Sequence, residues 1–266
     1  MMTPRRLVLA VCTLLPLQAG AAESPDCLIL PGTTIDLGGA IPGQLAEVAV
    51  DLGARVSKGQ VVASLNTSVQ QAVLDLAALR ARNHAQIDAA RARLDFEDKQ
   101  LSRSTELRAR GVVAQSDSDE RATAYEVRKR ELEAAEMEFE LAQLDLARAE
   151  AEFEVRRIRS PIDGIIAERH LDPGEYLRDD GKIVTIVSLD PLRVDVFLPQ
   201  AAYPEIHLGQ LAEITPEGPG GAPASAHVTA FDQTIDAASA TFRVRLELPN
   251  PDRRIIAGTR CNARFQ

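Results

Sequence analysis

Residues 68–158 contain no proline and a single glycine, Gly111, and are dense in Ala, Leu, Glu, Arg and Gln. Strong helix formers at that density, without a breaker for some ninety residues, constrain the fold more than any other feature of the chain. The flanking sequence is of the opposite kind. Residues 27–66 are short apolar runs cut by Gly32, Gly38-Gly39, Pro42-Gly43, Gly53 and Gly59. From residue 159 the Gly/Pro punctuation returns with strand-like alternation, as in Leu192, Val194, Val196, Leu198 and again Phe242, Val244, Leu246, Leu248. A helical block is thus nested inside a β-rich chain.

The block divides at Gly111. In its second arm Tyr125, Leu132, Phe139, Leu146 and Phe153 recur every seven residues, and Ala135, Ala142 and Ala149 follow three of them by three positions. Apolar residues at these heptad positions face a partner helix, and alanine in the seam permits close approach. The first arm matches more weakly, through Val73, Ile87, Leu94 and Leu101, with Arg80 interrupting. Ser68 and Gln71 suggest a capping box at its start, and Ser116 with Asp119 a cap on the returning helix. Each arm has about 40 residues and so extends roughly 60 Å. Charge crowds every face but the seam, so the expectation is a projecting, solvated hairpin, not two helices laid on a globular core.

Met1–Ala21 reads as a secretory signal peptide: Arg5 and Arg6, an apolar run from Leu7 to Leu17, then Ala19-Gly20-Ala21. That run is too short to span a bilayer. Removing it takes two positive charges from a chain of net charge −9, leaving −11, and argues against nucleic acid or anionic lipid as a partner. Of three cysteines, Cys12 lies in the leader, so Cys27 and Cys261 remain. In an oxidising compartment they are disulfide candidates; the alternative is two unrelated buried thiols.

Motifs for catalysis are missing. There is no G-x-S-x-G or H-E-x-x-H, and Gly181-Lys182 lacks the glycine that a phosphate-binding loop needs. His84, His170, His207 and His227 fall in separate segments without metal-ligand spacing, so no metal and no cofactor is implied. Asp117, Asp119 and Glu120 lack the glycine and distant glutamate of a calcium loop and suit a helix start instead.

Gly43–Leu65 and Ile158–Leu177 flank the block with alternating apolar residues and turn glycines at Gly53, Gly59, Gly164 and Gly174. Two such pieces can pair into one small β-sandwich. The stretches GARVSKGQVVASL and SPIDGIIAERHLDPGEYL, with the heptad block between them, resemble the split lipoyl domain of periplasmic adaptors, the HlyD-like membrane fusion proteins, and most of all those of RND-type efflux pumps. TFRVRLELPNPDRRIIAGTRCNARF resembles the last part of the β-barrel domain that follows.

The resemblance implies an α+β, elongated modular chain. An N-terminal strand segment, 22–40, packs on the barrel; residues 41–66 and 159–189 form the split lipoyl-like sandwich; 67–158 form a coiled-coil hairpin; and 190–266 form a β-barrel. It implies a non-catalytic periplasmic adaptor between an inner-membrane transporter and an outer-membrane duct, self-associated into a ring of several copies. It places duct docking at the hairpin tip, on Arg103, Leu107, Gly111 and Ala114, with Asp119 and Ala122 also matching. Ala114 stands where the family usually has serine, which removes one hydroxyl from the tip. Cys27 and Cys261 would join the first strand to the last. With the sequence ending just after the barrel-like segment, the expectation is of no substantial membrane-proximal domain. The alternatives are an adaptor of an ABC-type exporter, whose relatives often keep an N-terminal membrane helix, and, more remotely, a lipoyl or biotinyl carrier. A carrier needs a lysine at the turn joining its halves, where this chain has helices; Lys58 and Lys182 lie elsewhere. Metal-efflux adaptors use Met or His clusters, and Met137 is the one methionine beyond the leader.

Overall fold

A computed structural model describes residues 26–218 and 221–266. The expected signal peptide and Cys12 lie outside the described residues. In chain order the elements are strands β1 (Cys27–Leu37), β2 (Gly43–Val48), β3 (Arg55–Val56) and β4 (Val61–Leu65). Helices α1 (Ser68–Ala81), α2 (Ala85–Ala109) and α3 (Gln115–Glu154) follow. Strands β5 (Arg157–Arg159), β6 (Gly164–Arg169), β7 (Tyr176–Leu177), β8 (Val184–Pro199), β9 (Leu211–Pro216), β10 (Ala224–Phe231), β11 (Thr241–Leu248) and β12 (Arg260–Phe265) complete the chain. The contacts divide it into two compact units, residues 32–189 and residues 26–31 with 190–266. Strands β1 and β8 contribute residues to both.

In the first unit the two glycine-punctuated pieces pair with each other. β2, β4, β5 and β7 form one sheet in the order β5-β4-β2-β7, and β3 pairs antiparallel with β6, which pairs with the start of β8. Three of these pairings, β4–β5, β2–β7 and β3–β6, join a strand before the helices to one after them. The core is drawn equally from both sides: Leu45, Val56, Val62 and Leu65 pack with Ile158, Ile166, Leu177, Ile183 and Ile186. Burying this apolar surface requires both pieces, because neither has a second layer of its own. Gly53 and Gly59 adopt φ of +77° and +84°, where a side chain is strained. Gly164 is not a positive-φ turn; a Cβ there would lie 2.6 Å from the Val187 carbonyl oxygen, so close backbone approach is its reason.

The helices connect the two pieces. α1 and α2 both pack on α3, which at 40 residues is about 60 Å long. The expected first arm is therefore two helices, broken between Ala81 and Ala85. The expected capping box also does not form: Thr67 is the N-cap of α1 without a side-chain cap, Gln71 donates to Asp75, and Asn66 Oδ1 accepts from the Ser68 amide at 3.1 Å.

The second unit is a six-stranded barrel in the order β1-β12-β9-β10-β11-β8, closed by β1 against β8, where the Phe197 amide donates to the Asp26 carbonyl at 2.9 Å. Alternate residues point inward: Leu192, Val194, Val196 and Leu198 on β8 and Phe242, Val244, Leu246 and Leu248 on β11 are all buried. Closure leaves no free sheet edge.

Candidate functional site

Every seam residue of α3, Tyr125, Leu132, Phe139, Leu146 and Phe153, is half-buried, with Ala135 and Ala142 half-buried and Ala149 buried beside them. From α2, Ile87, Ala90, Leu94, Leu101 and Leu107 present the matching stripe. On α1 the inward stripe is half-buried Leu74 with buried Ala77 and Ala81; Val73 is 46% exposed and Arg80 also faces solvent. The correction has a physical cause. Ala81 precedes Ile87 by six residues, not seven, and the helix break absorbs the change of phase.

That break is held from α3. Gln143 Nε2 donates to the Ala81 carbonyl at 2.5 Å, supplying a partner for an orphaned helix-end oxygen. Asn83 Oδ1 accepts the Ala85 amide at 3.1 Å, and the His84 ring lies against Phe139 with centroids 4.4 Å apart. A cavity of about 240 Å³ lies here, lined among others by Ile87, Ala135, Phe139 and Ala142. The sequence signal was present in Asn83-His84, two weak helix formers in succession.

Arg103 and Leu107 lie one turn apart near the end of α2, Arg103 exposed and Leu107 half-buried. Gly111 has φ +75°. The Gly111 amide donates to the Arg108 carbonyl at 2.8 Å, and the Val112 amide to the Leu107 carbonyl at 3.0 Å. This is the Schellman arrangement, which ends a helix on a left-handed glycine and pairs its last carbonyls. Ala114 is extended, at φ −68° and ψ 157°, and precedes α3 without a side-chain cap. Ser116 and Asp119 do not cap α3. Instead Arg108 Nη1 donates to Gln115 Oε1 and Gln115 Nε2 donates to Asp119 Oδ1, each at 2.8 Å. This clasp of Arg108, Gln115 and Asp119 was not singled out by spacing, because its members span the turn. Near the tip stand Arg103 and Arg121, neither in an ion pair among the described residues, with half-buried Leu107 and exposed Val112.

In the barrel, Cys27 and Cys261 stand opposite each other on β1 and β12, are joined by a disulfide with Cα atoms 4.9 Å apart, and are almost fully buried. Among the described residues no three His, Cys, Asp or Glu side chains converge as a metal site would need, and no helix is long and apolar enough to cross a membrane. The four histidines stay apart. His170 Nε2 lies 2.8 Å from Thr185 Oγ1, whose hydroxyl donates to Asp36 at 2.7 Å. Lys182 also pairs with Asp36, and these two hydrogen bonds, Lys182 first, hold the Asp36 carboxyl below its ordinary pKa. An open cleft of about 770 Å³ beside it, lined by His170, Glu175, Tyr176, Arg178, Asp180 and Lys182, mixes both charges. The Lys58 amide bonds Asp163, and Lys58 sits on a surface turn.

Residues 33–188 match the family described as CzcB-like, barrel-sandwich hybrid domain, and residues 192–266 match CusB-like, beta-barrel domain. Nodulation protein NolF of Rhizobium meliloti (strain 1021) is 27% identical over 217 residues, 80% of this chain and 54% of the relative. Macrolide export protein MacA of Yersinia pestis is 25% identical over 225 residues, 82% of this chain and 61% of the relative. The chain spans about half the length of the first curated relatives it matches. The crystal structure of MacA from Actinobacillus actinomycetemcomitans superposes with a TM-score of 0.74 at 18% identity, over 91% of this chain and 77% of that one.

Proposed function

The chain belongs to the membrane fusion protein family, through its CzcB-like barrel-sandwich hybrid domain, and on that premise we propose that it is a non-catalytic periplasmic adaptor. It links an inner-membrane efflux transporter, of the RND type, to an outer-membrane duct, with several copies surrounding one conduit. Residues 67–158 serve as the coiled-coil hairpin, 41–66 with 159–189 as the lipoyl-like domain, and 190–266 as the barrel. The observation that supports this reading best is the nesting: two β pieces that complete one core carry between them a long helical extension ending in a capped turn. A capped turn far along the helices from that core suits a contact made at a distance, not chemistry in a cleft.

In this reading Arg103 and Leu107, with Gly111 setting the turn and Ala114 in place of a serine, meet the helices of the duct. Two measurements test it. Deleting the gene raises sensitivity to at least one toxic compound while the transporter is still made; unchanged export of every compound tested, with the pump active, removes the adaptor reading. Affinity purification of the crosslinked chain then identifies the transporter, and an ABC-type exporter in place of an RND pump transfers the reading to that class. At the tip, Leu107→Asp places a charge in an apolar contact, which is costly when buried. Crosslinks to the duct fall at least tenfold in Leu107→Asp with helicity unchanged; crosslinks that map to the barrel instead remove the tip reading.

A further inference from the structure

The seam between α2 and α3 changes character partway along. From Ile87 to Leu94 the inward residues of α2 are apolar, and so are those of the α3 stretch from Leu132 to Ala142. Beyond Leu94 the inward positions of α2 are Glu97, Gln100, Leu101 and Ser104, and α3 turns Arg128 and Glu131 the same way, all of them half-buried. A charged layer therefore interrupts the heptad seam. Polar groups in such a seam cost stability and are tolerated where their partners are close.

Within this layer the charges are paired unevenly. Arg128 Nη1 donates to both carboxylate oxygens of Glu131, at 2.9 and 3.0 Å, so cation and acid stand on the same helix. Glu97, the acid on the facing helix, makes no ion pair among the described residues, and its Oε2 is buried without a hydrogen-bond partner. Register brings the two groups together. Arg91 of α2 meets Glu136 on one side of the layer, and Arg108 meets Gln115 on the other. Interpolated along the antiparallel pair, Glu97 lies level with Arg128 and Lys129, and of these Lys129 is exposed and Arg128 half-buried. A buried carboxylate oxygen left unpaired is costly, whereas Glu131, its side chain 40% exposed, keeps water when its partner leaves.

We propose that Arg128 is a latch with two acceptors: it turns from Glu131, on its own helix, to Glu97, on the facing one, and so ties α2 to α3 at the root of the distal segment, residues 98–127. Packed helices have axes about 8–10 Å apart, a gap that the two long side chains bridge between them. The large half-buried apolar residues of the distal segment are Leu101, Leu107, Val113 and Tyr125, so a single cross-helix charge pair weighs heavily there. Latched, the segment moves with the shaft below it; released, it opens as a unit of its own. The inference rests on the geometry of the helix pair and not on the docking reading. It gives the end of the hairpin two arrangements, between which whatever meets that end selects.

Hydrogen exchange read by mass spectrometry on the full exported chain tests the latch, because its two acceptors predict opposite signs. In Glu97→Gln the amides of 98–127 exchange at least tenfold faster, and in Glu131→Gln at least threefold slower, with 68–94 unchanged in both. Were Arg128 to serve Glu131 alone, Glu97→Gln would relieve an unpaired buried charge and Glu131→Gln would break the pair; the signs then reverse, and that result overturns the proposal. Equal rates in all three chains, or a change of the same size in 68–94, also overturn it. Arg128→Gln closes the cycle: added to Glu97→Gln it speeds exchange less than twofold further, while fully multiplicative effects show that the two side chains do not meet and remove the latch. Crosslinking to the duct is scored separately, so a failed latch with crosslinks intact leaves the adaptor reading standing.

Discussion

Replacing Cys27 and Cys261 together by alanine opens a covalent loop whose ends are 234 residues apart in sequence. In the chain-entropy treatment, releasing a loop of that size from the unfolded state costs the native state about 5.5 kcal/mol. The loop encloses residues 32–189, which have a core of their own and can stay folded when the barrel opens. The flexible part then shrinks to about 80 residues, and because closure entropy grows only logarithmically the cost drops to about 4.5 kcal/mol. Both values lie near the lower end of the 5–15 kcal/mol that holds a domain folded. Directly opposed, buried positions in paired strands need no movement to bond, so little native-state cost offsets the gain. Urea unfolding followed by the near-ultraviolet signal of Tyr203, which lies edge-on to Phe231 and Phe242 in the barrel, reads this directly. Helical circular dichroism reads the other unit. The alanine pair is expected to lower barrel stability by more than 3 kcal/mol with the helical transition unmoved. A loss under 1 kcal/mol, or two transitions that shift together, refutes the reasoning.

Three further outcomes follow from local geometry. Phe139→Ala removes both a seam residue and the ring against His84, and costs about 3 kcal/mol of helical-unit stability by urea midpoint, as large-to-small changes at packed sites do. Gly164→Ala, whose new methyl meets the Val187 carbonyl, lowers the melting temperature more than Gly111→Ala, whose methyl meets open space and carries only the strain of positive φ. Asp36 has its pKa depressed by Lys182 and Thr185, so its contribution is full above its ordinary value of 3.8 and fades as the pH falls through the lower native value; Asp36→Asn therefore lowers the urea midpoint at pH 7 by more than it does at pH 2.

What was legible in the chain was periodic. The α3 seam, the alternation of β8 and β11, and the pairing of the two glycine-punctuated pieces all follow from spacings that a single physical rule converts into a face. The features that escaped were set by contacts between distant residues. Nothing near Gly164 marks the Val187 carbonyl that excludes a side chain there. The Arg108–Gln115–Asp119 clasp spans a turn whose shape had to exist first. The caps expected at Ser68 and Ser116 failed because Asn66 and Gln115 took the available partners.

The α1 register shows why one period was not enough. Counting back in sevens from Leu94 through Ile87 arrives at Arg80 and Val73, and the charge at Arg80 looked like a flaw in the seam. The residues were not flawed: Arg80 and Val73 belong to the outer side, and the seam had stepped to Ala81 and Leu74. A helix that changes phase at Asn83-His84 keeps its apolar residues in two families, and a search for one family discards the other as noise. The same applies to α3, where Met137, Leu141 and Leu144 sit off the seam and read as stray apolar positions until the opposite face is counted.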